Sequence, residues 1–205
     1  MVQNLTYFPV SLFLINIKTM SKAEIRKQIS FLRGTLSAEQ IMQAKQKIAM
    51  QIIEHEAFIK SKNIGIYIPH KKELDPRMIM QGALAKSFYA PCVFPNKQLV
   101  FTRVSANCNF TKNKYGILEP SYNPKEALNP SELDLVLVPS VAMDSNNNRI
   151  GYGSGYYDIN FAFKKENNRL APYLLALIYD FQLIGNIEPN EHDVKCDAHL
   201  IATTK

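Results

Sequence analysis

Leu133-Asp-Leu-Val-Leu-Val-Pro139 is the stretch whose reading decides the fold. Its near-continuous run of apolar, partly β-branched residues marks a strand buried on both faces, and the closing proline cannot donate to a ladder. Such a strand belongs in the middle of a sheet. Outward from it, Asn63-Ile-Gly-Ile-Tyr-Ile68, stopped by Pro69, and Tyr173-Leu-Leu-Ala-Leu-Ile-Tyr179 have the same character. Residues 88–94 and 98–104 are further strands, separated by the turn Pro95-Asn96-Lys97, and residues 199–203 close the chain as a last strand.

Helical patterns alternate with these strands. Ile25, Ile29, Leu32 and Leu36 follow helical spacing from Ser21. Ser37 with Gln40 reads as the cap of a second helix running towards Phe58, with Ile41, Ala44, Ile48, Ile52 and Ile53 as its buried stripe. Residues 76–86 and 156–165 are also helical in pattern. The alternation predicts an α/β fold: one layered domain with a central, mostly parallel sheet flanked by helices and led by an N-terminal helical pair. Ligands are expected where loops leave the carboxyl ends of the strands.

The 205 residues, 46% hydrophobic and 20% charged, can bury one core and lack a disordered composition. Twenty-four Lys and Arg against 18 Asp and Glu give a net charge of +6, suited to an anionic ligand. No dense basic run, aromatic RNA-binding signature or zinc-finger spacing accompanies that charge, so a basic nucleic-acid-binding domain is an alternative favoured by net charge alone, and nucleic acid is not an expected partner. Cys92, Cys108 and Cys196 form no disulfide pattern and suit the cytoplasm. The apolar stretch 7–17 falls short of the roughly 20 residues that span a bilayer and has no basic segment ahead of it. Residues 1–19 are expected to be an N-terminal extension, disordered or the product of a non-native start, with the domain at 20–205 and no membrane partner.

Gly151-Tyr-Gly-Ser-Gly155 places three of the eight glycines in five residues, between a strand-like segment and a helical one. At the usual glycine frequency a given window would do so on the order of once in several thousand. Glycines admit positive φ and close approach, and successive N–H groups ahead of a helix can bind phosphate oxygens. Arg149 adds a charge matched to phosphate. A tight structural turn packing helix on sheet is the competing reading. The spacing is neither that of a P-loop nor that of a dinucleotide fingerprint. Tyr156-Tyr157-Asp158 then offers rings on which a base or pterin could stack and a carboxylate that could meet a metal.

Together, Leu133 to Asp144 and Asn148-Arg-Ile-Gly-Tyr-Gly-Ser-Gly-Tyr-Tyr-Asp158 resemble the signature of the 5-formyltetrahydrofolate cyclo-ligases, also called methenyltetrahydrofolate synthetases. Met143 stands where that family usually has phenylalanine, and Asn147 or Asn148 replaces a turn glycine. Both are structural positions, and asparagine tolerates left-handed geometry. Lys22-Ala-Glu-Ile-Arg26 is similar to the family's K-x-x-x-R, and its i, i+4 spacing puts both cations on one helical face.

The resemblance implies a NagB/RpiA/CoA transferase-like fold and an ATP-dependent ligase, a monomer that closes 5-formyltetrahydrofolate to 5,10-methenyltetrahydrofolate. By the same resemblance ATP meets Lys22, Arg26, Arg149, Ile150, Gly151, Tyr152, Gly153, Ser154, Gly155, Tyr156 and Tyr157. Folate meets Ile68, Glu73, Tyr152 and Tyr156, Arg149 and Tyr156 serve catalysis, and Asp158 with Asp193 holds Mg2+. A non-catalytic folate- or nucleotide-binding relative would be marked by loss of Arg149, Asp158 or Asp193, and all three are present. His192, Cys196 and His199 mimic a metal spacing, but no fourth ligand is local, and Cys196 reads as packing. His55 and His70 read as surface residues, His70 near the folate contacts.

Overall fold

Capping chemistry sets the first two helices. In the computed structural model, which describes residues 20–105, 108–166 and 171–204, the extension expected at 1–19 lies outside the described residues. Ser21 caps α1 (Lys22–Thr35): Glu24 N donates to the Ser21 hydroxyl, while Ser21 N donates to the Glu24 carboxylate at 2.7 Å. Ser37 and Gln40 repeat this reciprocal arrangement for α2 (Ala38–Glu54).

α2 stops before Phe58. The chain turns extended at His55, whose Nδ1 accepts from Ala57 N, and restarts as α3 (Glu56–Lys60). Ile53, expected in the buried stripe, is 48% exposed. It lies roughly 140° around the helix from Ile48, and the inward face is Ala44, Ile48, Ala49 and Ile52.

Eleven strands follow among the described residues: β1 (Asn63–Gly65), β2 (Ser87–Val93), β3 (Leu99–Val104), β4 (Phe110–Lys112), β5 (Leu118–Pro120), β6 (Ala127–Leu128), β7 (Leu135–Pro139), β8 (Ala142–Met143), β9 (Arg149–Ile150), β10 (Tyr173–Tyr179) and β11 (Ala198–Ala202). Seven of them form one sheet in the order β11-β10-β7-β1-β2-β3-β6. The pairings from β11 across to β2 are parallel, and β3 runs antiparallel to both β2 and β6. β4 with β5, and β8 with β9, make two small antiparallel ribbons.

The period-two alternation of β7 divides the core. Leu135 and Leu137 pack with Ile48 and Ile52 of α2 on one face, while Val136 and Val138 join Tyr156, Phe161 and Cys196 on the other. Ile25 and Ile29 of α1 bury instead against Val141, Ala142 and Ile150, so α1 covers the β8–β9 ribbon rather than the main sheet.

Two expected helices are shorter in the structure. Residues 76–86 contain one 3-10 turn (Pro76–Met80), because Gly82 takes a left-handed φ of 85° that a helix cannot continue through. Residues 156–165 divide into α4 (Tyr156–Asn160) and α5 (Phe163–Glu166). Here the Asn160 amide donates to Tyr156 O at 2.8 Å and to Lys97 O at 2.7 Å, competing for a helix carbonyl while anchoring the segment to the turn before β3. β1 is also shorter than residues 63–68, although Ile66 N still donates to Tyr89 O at 2.7 Å.

Leu137→Ala, a truncation at a fully buried position of the central strand, is expected to cost roughly 2–5 kcal/mol in urea denaturation. A loss below about 1 kcal/mol would place the centre of the core elsewhere.

Candidate active site

The order of the strands reverses between β1 and β7, and there, at their carboxyl ends, a cavity of about 470 Å³ opens. Ile68 and Glu73 reach it from the segment after β1, Pro139 from the end of β7, Lys22 and Arg26 from α1, and Asp193 from the loop before β11. All of the loop from Arg149 to Asp158 lines it. The sequence-nominated residues therefore share one cavity.

Asp144 determines where that loop starts. Its side chain is 1% exposed, with Oδ1 accepting from Asn146 N and Asn148 N, and Oδ2 from the Asn148 amide and Ile187 N. Burial by itself would raise the Asp144 pKa, but these four donors outweigh it and hold the carboxyl below its ordinary value. Asn147 takes the left-handed position of the turn, at φ 65°, where the family signature has glycine. The turn directs Arg149 inward along β9.

The loop glycines admit arginine side chains. A Cβ on Gly151 would stand 2.8 Å from Arg149 Nη1, and one on Gly153, at φ 98°, would stand 3.3 Å from Arg26 Cζ. The two guanidinium groups thus lie folded against the loop. Arg149 Nη2 donates to Asp158 Oδ1 at 2.6 Å, and its cation lies 5.7 Å from the centre of the Tyr157 ring. Arg26 Nε donates to Gly151 O at 2.7 Å. Lys22 Nζ donates to Asp193 Oδ2 at 2.8 Å, an oxygen that also accepts from Asn190 N. Val194 N donates to Asp158 Oδ1, tying that carboxylate to the residue after Asp193.

α4 is only five residues long, so its dipole adds little at the glycine loop, and positive potential there comes from Lys22, Arg26 and Arg149.

The other end of the cavity is aromatic and apolar. Tyr156 is 9% exposed, and its hydroxyl lies 3.2 Å from that of Tyr115; burial, then this contact, pushes its pKa up to about 12. The phenol is neutral at physiological pH. Glu73 is 5% exposed, and burial raises its pKa against the opposing effect of Arg33. His70, read from the sequence as a surface group, lines the cavity edge-on to Tyr152.

Several lining residues lie where sequence reading found no element. Asn113, Tyr115, Ile117 and Glu119 come from the β4–β5 ribbon. Its turn was legible in Asn113 and Gly116: Asn113 Oδ1 accepts from Tyr115 N and Ile117 N, and Gly116 has φ 73°. Cys196, as expected, is core: it is 3% exposed and burial raises its thiol to about 11. His199 Nδ1 lies 2.6 Å from Asn147 Oδ1.

A cationic end, paired carboxylates and an aromatic end suit a ligand set that combines a polyphosphate with a heteroaromatic ring. Residues 18–202 match the 5-formyltetrahydrofolate cyclo-ligase family. The chain belongs to that family. Among its relatives, the 5-formyltetrahydrofolate cyclo-ligase of Haemophilus influenzae is 31% identical over 183 residues, covering 86% of this chain and 94% of that protein. The mouse protein of the same name is 26% identical over 188 residues, covering 88% and 93%. The NMR structure of Aquifex aeolicus 5,10-methenyltetrahydrofolate synthetase aligns over 91% of both chains, with a TM-score of 0.73 and 29% identity.

Asp144→Ala removes four hydrogen bonds to a carboxylate and is expected to destabilise the protein by at least roughly 1.5–3 kcal/mol. In the wild type this contribution is present above the ordinary aspartate pKa and is lost as pH falls through the depressed value of Asp144. Urea denaturation at neutral and acid pH should show the difference between the two proteins shrinking below about pH 4. Gly151→Ala should displace Arg149 and lower kcat/KM for the folate substrate about tenfold or more, with the melting temperature little changed.

Proposed function

We propose that this chain converts 5-formyltetrahydrofolate to 5,10-methenyltetrahydrofolate, using ATP and releasing ADP and phosphate. The observation that carries the reading is the joining of Lys22, Arg26 and Arg149 with the Tyr152, Tyr156 and Glu73 end in one cavity. Within it the ATP phosphates would lie along Gly151 to Gly155, replacing Asp193 and Asp158 as the partners of Lys22 and Arg149. Ile150, Ser154 and Tyr157 complete that wall, and the folate ring would occupy the end formed by Ile68, Glu73, Tyr152 and Tyr156.

A formyl amide is a poor electrophile, and its oxygen is a poor leaving group. Attack of the formyl oxygen on the γ-phosphorus expels ADP and leaves an N5-iminium carbon bearing phosphate. N10 then adds to that carbon, phosphate departs with the C–O bonding pair, and the N10 proton is lost to solvent. No enzyme nucleophile is needed. The residues align the two substrates and balance charge as phosphate transfers. Neutral Tyr156 can donate a hydrogen bond near the reacting oxygen, and Arg149 compensates the departing charge.

Asp158 and Asp193 also suit Mg2+. Each has one oxygen, Oδ2 of Asp158 and Oδ1 of Asp193, without a hydrogen bond among the described residues. Magnesium commonly takes one or two carboxylates and completes its shell with water and phosphate oxygens. When bound it would supply charge neutralisation between adjacent phosphates. We assign the whole activity to residues 20–205, acting as a cytoplasmic monomer with ATP and folate as partners and neither nucleic acid nor membrane.

Mixing the protein with ATP, Mg2+ and 5-formyltetrahydrofolate should produce the near-ultraviolet absorbance of the methenyl product, and omission of any one should abolish it. Folded protein that forms no product overturns the reading. Asp158→Asn should raise the Mg2+ concentration for half-maximal rate about tenfold; an unchanged Mg2+ dependence would remove the metal role.

A further inference from the structure

Arg33, in the last turn of α1, is 3% exposed and holds three separate segments. Its Nη2 donates to Ser140 O at 2.6 Å, just beyond β7. Nη1 donates to the Tyr152 hydroxyl at 2.5 Å in the glycine loop and stands 3.8 Å from Glu73 Oε1. Tyr152 and Glu73 line the main cavity, at the end assigned above to folate.

The cluster is incompletely satisfied. Glu73 Oε2 accepts from His70 N at 2.8 Å, while Glu73 Oε1, Arg33 Nε and the Ser140 hydroxyl are buried without hydrogen-bond partners. Burial of a carboxylate favours its protonated form unless a cation faces it. The phenols of Tyr67, Tyr152, Tyr157 and Tyr179 adjoin this carboxyl, and burial keeps all four neutral. Asp75 is engaged by Lys45 and Arg77, and Lys72 by Gly34 O and Leu36 O. Lys71 is exposed, and burial lowers the pKa of His70, leaving it neutral. Compensation of Glu73 therefore falls to Arg33.

We propose that Arg33 is the positioning residue of the substrate end: it holds Glu73 as a carboxylate acceptor and fixes the Tyr152 hydroxyl beside that carboxylate. An aminopyrimidinone ring, as in a reduced pterin, presents a ring N–H and an exocyclic amine side by side. A carboxylate accepts from both, and a protonated carboxyl does so poorly. The inference rests on the reading that Glu73 meets the folate ring, and it assigns the recognition of that ring to a residue outside the cavity wall.

The test is KM for 5-formyltetrahydrofolate from about pH 6 to about pH 9 in wild type, Arg33→Gln, Arg33→Lys and Glu73→Gln. Arg33→Gln should raise KM about tenfold near neutral pH and recover as pH rises and the carboxyl ionises again, with kcat changed less than about threefold. Arg33→Lys keeps the charge and should leave KM level across the range. Glu73→Gln should raise KM at every pH without recovery. Unchanged KM in folded Arg33→Gln, or an increase equal at all pH values, overturns the proposal. Should Arg33→Gln not fold, the 13Cδ resonance of Glu73 in the wild type decides: a carboxylate at neutral pH supports the proposal and a protonated carboxyl overturns it. Absence of wild-type turnover, or a wild-type KM in Glu73→Gln, would instead remove the functional reading and leave the ionisation of Glu73 measurable.

Discussion

Like charges brought together repel, and the cation wall of this protein depends on how that repulsion is relieved. Lys22, Arg26 and Arg149 converge from one helix and one short strand, and each has an acceptor from its own chain: Asp193, the Gly151 carbonyl and Asp158. The acceptors fix each side chain in direction, so an arriving polyanion meets cations whose conformational entropy is already lost. The arrangement also explains the packing of α1. By burying Ile25 and Ile29 on the β8–β9 ribbon, the helix presents Lys22 and Arg26 to the same loop that β9 feeds. A helix laid on the main sheet would place them elsewhere.

The layered frame was legible because its signals are local and strong. Val136, Val138, Leu135 and Leu137 alternate between two buried faces, and the serine cap with Gln40 marks the start of the second leading helix. The glycine loop was legible as an improbable cluster, and the family resemblance extended it to Lys22, Arg26 and Asp193. What escaped depended on tertiary partners. Asn160 ends α4 because Lys97 and Leu99 wait across the fold to meet its amide, which no helical periodicity records. The short β4–β5 ribbon carries too little apolar pattern to register, although Asn113 and Gly116 marked its turn.

Arg33 escaped for a different reason. It lies seven residues beyond Arg26, two turns along the helix, and its spacing from Ile25 and Ile29 places it on the buried face. An arginine on an apolar stripe is a signal in itself, because burying an unpaired guanidinium is costly. Read that way, it points to a buried acid, and Glu73 is that acid. Glycine carries a comparable double meaning at positions 151 and 153: the cluster suggested approach by a phosphate, while the structure shows the same missing side chains making room for Arg149 and Arg26.

The ion pair of Lys22 with Asp193 joins residues 171 positions apart. During synthesis the leading helix emerges first, yet its two cations have no site to belong to until the β9 loop, the penultimate sheet strand and the segment carrying Asp193 have followed. Pairings this distant in sequence form late, because closing so long a stretch of chain must precede any gain from the contact. The nucleotide site proposed above is thus a report on completion: a chain interrupted before residue 193 lacks the closed wall on which ATP would rest.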